Sequence, residues 1–423
     1  MKVLVIGSGA REHALTHKIK QSPKCTEIYA IPGNPGMELM GVPCLPHLKI
    51  SDFESLKTFC REKDIDFVMV GPELPLVQGI ADAFTGEKTF VVGPNQKAAQ
   101  LEASKAFTKE FLKKYHIPTA RYQTFTKNEL HHALTYIEQQ PLPIVIKADG
   151  LAAGKGVIIA QSHTEAKEAL LTMMQQDKFG ISGHTVVIEE FMQGIELSVF
   201  VLCDGEHYAV LPEAKDYKRI GEQDTGLNTG GMGAVSPVPF ADMEFMQKVE
   251  QTIIEPTIQG LIQENISYIG ILFIGLMNVE GTPKVVEFNC RFGDPETQVV
   301  LERINNDWID IFEHIKNKTL HQCKIDIKKE HVAGIVLASE GYPEHFETGK
   351  IIQNYQSNDE YTVYHAGTKW ENNTLVNAGG RVFTVISQGN TLSEAKQKAL
   401  KGARNIAYTN KYHREDIGFE FLD

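Results

Sequence analysis

At 423 residues, with 42% hydrophobic and 23% charged side chains, the chain has the make-up of a protein folded throughout into about two to four domains. A net charge of −12 speaks against nucleic acid as a partner, and the longest apolar runs, such as Tyr268 to Met277, fall well short of the roughly 20 residues a membrane-spanning helix needs. Cys25, Cys44, Cys60, Cys203, Cys290 and Cys323 form no CxxC pair, which argues against a zinc ribbon or a disulfide framework and fits a reducing cytoplasm.

The opening, Val3-Leu4-Val5-Ile6 followed by Gly7-Ser8-Gly9-Ala10-Arg11-Glu12, predicts a buried strand, a tight turn and a helix. Apolar strands recur at Ile28 to Ile31, Phe67 to Val70 and Phe90 to Val92. Helical stretches separate them, such as Ser51 to Lys63, for which Ser51 or Asp52 is the cap. This alternation predicts a doubly wound parallel sheet that ends near Gln100. Ligands of such sheets bind beyond the carboxyl ends of the strands, here Gly7-Ser8-Gly9, Pro32-Gly33-Asn34-Pro35-Gly36 and Gly71-Pro72-Glu73. Any one of these loops is equally well read as a plain turn. Together they predict a phosphorylated ligand held by backbone N–H groups. A dinucleotide is disfavoured, because Glu12 stands where GxGxxG requires its third glycine. His13 and His17 sit at i and i+4 without a third ligand and read as ordinary helix residues.

A basic helix from Ser104 to Tyr115 is stopped by Ile117-Pro118, and a second domain begins there. Pro143 to Ile159 reads as strand, small-residue loop and strand, a hairpin flap that carries Lys147 and Lys155. It is not a Walker A loop, since Gly156-Val157 and a strand follow the lysine. Thr185 to Met192 is a strand whose end, Glu189-Glu190-Phe191-Met192, suits adenine and ribose. The loop from Asp224 to Gly233 is dense in glycine and in hydroxyl and amide groups, as a ligand-contacting loop would be. A second hairpin joins Tyr268 to Met277 with Lys284 to Asn289 through Glu280-Gly281-Thr282-Pro283. Strand alternation puts Glu287 and Asn289 on one face, a pair of hard oxygen ligands suited to Mg²⁺, although such a pair alone is more often solvated surface. The polar turn Arg291 to Gln298 follows. From about Val332, strands at Ala333 to Ala338, Tyr361 to His365 and Gly380 to Ile386 and a helix from Leu392 to Ala407 predict a small α+β closing domain.

Taken in order, the GxGxREH opening, the lysine-bearing flap, the Glu-Glu-Phe strand end, the DTGxNTGGMGA loop and the EFNCRFGDPE segment resemble the glycinamide ribonucleotide synthetases, a family of the ATP-grasp class, over essentially the whole chain. The resemblance implies a multidomain α/β and α+β protein: an N-terminal doubly wound domain over 1–101, an ATP-grasp domain over 102–326 with a flap subdomain at about 120–192, and a C-terminal closing domain over 327–423. It implies ATP-dependent ligation of glycine to 5-phosphoribosylamine through glycyl phosphate, by a cytoplasmic monomer of the single-function form. Another ATP-grasp carboxylate–amine ligase or a carboxylase is the alternative. A nucleotide-sensing scaffold would not need Glu287, Asn289 and Arg291 together.

Carried over by position, Lys105, Lys147 and the flap residues Gly154, Lys155 and Gly156 contact the ATP phosphates. Glu189, Glu190, Phe191, Met192 and Glu196 bind adenine and ribose, and Glu287 and Asn289 hold Mg²⁺ or Mn²⁺. Arg291, Lys147 and Asp216 are the catalytic candidates. Gly7, Gly9, Arg11, Asn34, Glu73, Asp224, Thr225, Asn228, Gly230, Gly231 and Met232, with Arg291, form the substrate site. Two positions depart from the family pattern: Ile195 replaces an expected acid, and Tyr217 an expected histidine. The strand Ile269 to Met277 also lacks the acid that many ATP-grasp relatives use as a second metal ligand, which leaves Asp294 and Glu296 as candidates to compensate.

Overall fold

The protein, a computed structural model, is described over residues 1–151, 156–175 and 184–422. Strands β1 (Lys2–Gly7), β2 (Glu27–Pro32), β3 (Phe67–Val70) and β4 (Phe90–Val92) form a parallel sheet in the order β2-β1-β3-β4. Val3 to Ile6 and Phe67 to Val70 are buried on both faces, as the unbroken apolar runs required. Asp52 caps the helix Phe53–Lys63, its carboxylate accepting from the Ser55 N–H at 3.1 Å. Strand order reverses between β1 and β3, and that switch point sets the loops after Gly7 and Val70 beside each other.

The flap is an antiparallel sheet of β5 (Tyr122–Thr126), β6 (Ile144–Ala148), β7 (Val157–Ala160) and β8 (Thr185–Glu190), in the order β5-β8-β6-β7. Ile144, Ile146, Ala166, Leu170 and Ile188 give it a core of its own. The chain continues through β9 (Ile195–Asp204), β10 (Tyr208–Val210), β11 (Lys215–Asp216), a ribbon of β12 (Arg219–Gly221) and β13 (Thr225–Asn228), and β14 (Gly233–Ser236). The hairpin β15 (Ile269–Val279) and β16 (Thr282–Asn289) then completes a sheet in the order β10-β9-β15-β16. Its turn places Glu280 and Gly281 at φ 50° and 80°, which is why a glycine stands there.

The last segment supplies β17 (His331–Ser339), β18 (Thr362–His365), β19 (Thr368–Glu371), β20 (Thr374–Asn377), β21 (Arg381–Gly389), β22 (Lys411–Tyr412) and the helix Leu392–Asn405. Its main sheet runs β11-β14-β17-β21-β18. Ala234 pairs with Gly334, so the sheet crosses the domain boundary expected near residue 327 and draws two strands from the central segment.

The N-terminal helix Ala10–Lys20 packs on β18. His13 meets Tyr364 edge-on at 5.3 Å and accepts the His365 backbone N–H at 2.9 Å, while His17 lies 3.0 Å from the Tyr364 hydroxyl. These histidines therefore join two domains, a role that their sequence spacing did not reveal. No described helix is long and apolar enough to cross a membrane.

Candidate active site

The N-terminal glycine loops close on a side chain of their own. The Glu12 carboxylate accepts from the Gly9 N–H at 2.6 Å and from Arg11 Nε at 2.6 Å, and β-carbons at Gly7, Gly9 or Gly71 would each collide with it. The glycines make room for Glu12, which explains how a carboxylate stands at the third position of that motif. The Gly9 N–H, expected to face a ligand anion, is already satisfied. Asn34 caps the helix Pro35–Leu39 and donates to the Ser8 and His365 carbonyls at 2.9 and 2.8 Å, so its amide is likewise engaged inside the chain.

These loops grip the end of β16. Arg11 donates to the Phe292 carbonyl at 3.0 Å, and Glu73 lies 3.5 Å from Arg291 Nε. Glu102 takes Arg291 Nη2 at 2.8 Å and the Cys290 N–H at 2.8 Å. Burial works to lower the Arg291 pKa, but Glu102 and Glu73 outweigh it and keep the guanidinium charged. Its Nε is buried without a hydrogen bond, a donor left over in an otherwise occupied fork.

In β16 the register slips: Leu276 pairs with Val285 and Gly275 with Glu287, which leaves Val286 as a bulge. The Val286 carbonyl accepts from Lys147 Nζ at 3.4 Å. Glu287 and Asn289 are half-buried, and among the described residues neither side chain is taken up by a hydrogen bond or ion pair. A β-carbon on the facing Gly275 would lie 3.2 Å from Glu287 Cγ, so the glycine leaves room for that side chain. A carboxylate and an amide oxygen two residues apart are a donor set that fits a hard divalent cation. Among the described residues no trio of His, Cys, Asp or Glu converges as a metal cluster. Asp294 instead faces Arg381 at 3.4 Å and accepts from Gln298 at 2.9 Å, and Glu296 accepts from Ser198 at 3.1 Å.

Lys105 donates to the Gly150 carbonyl at 3.0 Å. Asp149 accepts from Ser104 Oγ and the Ala106 N–H at 3.1 Å each, which ties the root of the flap loop to the start of the helix Lys105–Lys114. Burial lowers the Lys105 pKa, eased by the field of Glu287. Gly154 and Lys155 lie outside the described residues; Gly156, which precedes β7, is buried. Glu189 is not an open nucleotide contact: its carboxylate is buried between Lys147 at 3.0 Å and Lys109 at 3.2 Å. Glu190 is held by Arg121, at 2.6 Å to Nε and 3.0 Å to the backbone N–H. Beyond that strand end Phe191 is exposed and Met192 half-buried.

Glu196 pairs with Lys218 at 2.7 Å, and Asp216 lies 3.9 Å from the same ammonium. Burial raises the Asp216 pKa, with Glu196 adding to the rise against the pull of Lys218. Glu296 is pushed up to about 7 by burial and by Asp216. Tyr217 points the other way, into the closing domain, and donates to Glu420 at 2.8 Å, so no imidazole was available to the site from that position. Gly230 and Gly231 are pinned by Arg381, which donates to the Gly230 carbonyl at 2.6 Å and the Asp294 carbonyl at 2.7 Å, and Met232 is buried. Asp224 pairs with the buried Arg414 at 2.7 Å, and Thr225 and Asn228 lie on the exposed ribbon β12–β13. The sequence reading missed Glu102, Lys109 and Arg381; only Lys109 left a trace, one turn after Lys105 on the basic helix.

The comparisons with known proteins cover all three parts. The N-domain model of phosphoribosylglycinamide synthetase matches residues 1–102, the ATP-grasp (A) domain model 103–297 and the C-domain model 332–420. The phosphoribosylamine–glycine ligase of Vibrio vulnificus is 44% identical over 425 residues, spanning 100% of this chain and 99% of that one. The crystal structure of the Thermotoga maritima phosphoribosylamine–glycine ligase superposes with a TM-score of 0.82 at 33% identity, over 98% of this chain and 100% of that one. A biotin carboxylase from Campylobacter jejuni shares the fold alone, at a TM-score of 0.75 and 12% identity over 99% of this chain and 94% of that one. The chain therefore belongs to the phosphoribosylglycinamide synthetase family, as an ATP-grasp ligase.

Proposed function

We propose that the chain joins glycine to 5-phosphoribosylamine, using ATP and releasing ADP and phosphate, in purine biosynthesis. One observation carries the reading: Lys105, Lys147, the Glu287/Asn289 strand and Arg291 meet where the flap, the central sheet and the N-terminal loops adjoin. A carboxylate resists amines until one oxygen becomes a leaving group, so the glycine carboxylate is phosphorylated before the amine attacks. Lys105 and Lys147 hold the triphosphate, and Arg291, fixed by Glu102, sets its guanidinium charge beside the glycine carboxylate and the transferring phosphoryl. Glu287 and Asn289 hold Mg²⁺ or Mn²⁺, which supplies charge neutralisation at the phosphates. Adenine rests on the strand end at Phe191 and Met192, with Glu196 toward the ribose. The flap, tied down through Asp149, excludes water from glycyl phosphate.

Arg11, Glu73 and the Gly230–Gly231 turn lie where 5-phosphoribosylamine meets the activated glycine. In this reading the protein works in the cytoplasm as a monomer on small molecules, without a nucleic-acid or membrane partner; its six free cysteines suit a reducing compartment. Release of ADP by the purified protein tests the reading. We expect release only when glycine and 5-phosphoribosylamine are both supplied, whereas bicarbonate-dependent release would assign a carboxylase.

A further inference from the structure

Five contacts close a ring across the root of the flap. Thr119 donates to the Val285 carbonyl at 2.7 Å, and Lys109 donates to Thr119 Oγ1 at 2.7 Å. Lys109 reaches one oxygen of Glu189 at 3.2 Å, Lys147 the other at 3.0 Å, and Lys147 returns to the Val286 carbonyl at 3.4 Å. The ring thus begins and ends on adjacent residues of the strand that carries Glu287 and Asn289, and it passes through the helix Lys105–Lys114, β8 and β6 on the way. Lys109, Glu189 and Lys147 are all buried.

The charges in this ring do not cancel. Two ammonium groups share one carboxylate, so the trio carries one surplus positive charge in a place with little water to screen it. If Lys109 were neutral, Glu189 would be left to Lys147 alone, and the pair would present no net charge to an anion. From the elements packed around it, the groups facing Lys109 are Glu189 and Glu190 on β8, Lys147 on β6, the Tyr122 ring on β5 at 5.4 Å, and the Thr119 hydroxyl. Glu190 is itself committed to Arg121.

We propose that Lys109 is a positioning residue for Lys147: by sharing the Glu189 carboxylate, it leaves the Lys147 ammonium uncompensated and aimed at a nucleotide phosphate beside the metal-binding strand. This rests on the reading that Lys147 contacts nucleotide phosphate. It adds a residue that never touches the nucleotide yet governs its affinity. It also predicts a pH signature. Burial lowers the Lys109 pKa to about 8, against the attraction of Glu189, so the surplus charge is present below that pH and is lost above it.

Calorimetric titration with MgADP from pH 7 to 9.5 tests the proposal on the wild type, K109R, K109M and K147M. In the wild type, affinity should hold to about pH 8 and then weaken by up to about tenfold per pH unit. In K109R, whose guanidinium stays charged throughout, that alkaline weakening should vanish while affinity at pH 7 is kept. K109M should bind at least about tenfold more weakly at pH 7 and lose the pH dependence; if it fails to fold, the K109R profile alone decides. An alkaline limb in K109R identical to the wild type would overturn the proposal. K147M tells the two failures apart: unchanged MgADP affinity in that variant removes the underlying reading of Lys147, whereas weakened affinity alongside an unshifted K109R profile removes the role of Lys109 only.

Discussion

Glu12 occupies the space that Gly71 leaves empty: a β-carbon at residue 71 would collide with the Glu12 carboxyl, which also spans the Gly9 N–H and Arg11. The carboxylate therefore braces the loops after β1 and β3 from inside, and Arg11 passes that brace on to the Phe292 carbonyl.

Gly71→Ala should destabilise the protein by about 1–3 kcal/mol, because neither the backbone nor the buried carboxyl can retreat cheaply. Urea unfolding measures it. Combining it with Glu12→Ala should recover part of the loss contributed by the clash, seen as a coupling energy between the two sites. Additive losses would show that the contact is not what excludes a side chain at residue 71.

Glu102 fixes the guanidinium of Arg291 through a buried, charge-assisted bond. Glu102→Gln should lower turnover by roughly 10- to 100-fold, the equivalent of about 1.5–3 kcal/mol for a hydrogen bond to a charged group. The loss should fall on kcat and the KM for glycine, with the KM for ATP unchanged. Steady-state kinetics with each substrate varied in turn separates the two.

What local pattern encodes was legible in the chain: the apolar runs of β1 and β3, the Glu280-Gly281 turn, and the Asp52 cap all rest on neighbours a few residues away. What was not legible comes from partners distant in sequence. Gly9 looked like a bare anion cradle because nothing nearby showed that Glu12 folds back onto it. The pairing of Ala234 with Gly334 and the salt bridge of Asp224 to Arg414 join segments whose local patterns carry no trace of each other. The pairing of Glu189 with Lys109 and Lys147 was hidden for the same reason, since the two lysines lie on different elements.

The histidines between the N-terminal helix and β18 give stability a pH dependence of known sign. Burial depresses His13 well below its ordinary value and His365 to about 3, so both are neutral when folded. In the unfolded chain each titrates near about 6.5. Their contribution is therefore complete above about pH 6.5 and is lost as pH falls toward the folded values, at up to about 1.4 kcal/mol per pH unit for each. Urea midpoints at pH 7.5, 6.5 and 5.5 check this. The decline should be shallower in His365→Asn than in the wild type.

Glu287→Gln should reduce turnover at least about 100-fold while leaving the thermal midpoint nearly unchanged, because among the described residues the carboxylate forms no hydrogen bond or ion pair that folding depends on. Raising the Mg²⁺ or Mn²⁺ concentration should restore part of the activity. Wild-type rates in this variant would show that Glu287 does not hold the metal.

A crystal grown with a non-hydrolysable ATP analogue and Mg²⁺ bears most directly on the assembly of the site. We expect the triphosphate within hydrogen-bonding distance of the Lys105 and Lys147 ammonium groups, with the metal on the side-chain oxygens of Glu287 and Asn289. A nucleotide bound elsewhere, with those four side chains away from its phosphates, would contradict the site and the chemistry built on it.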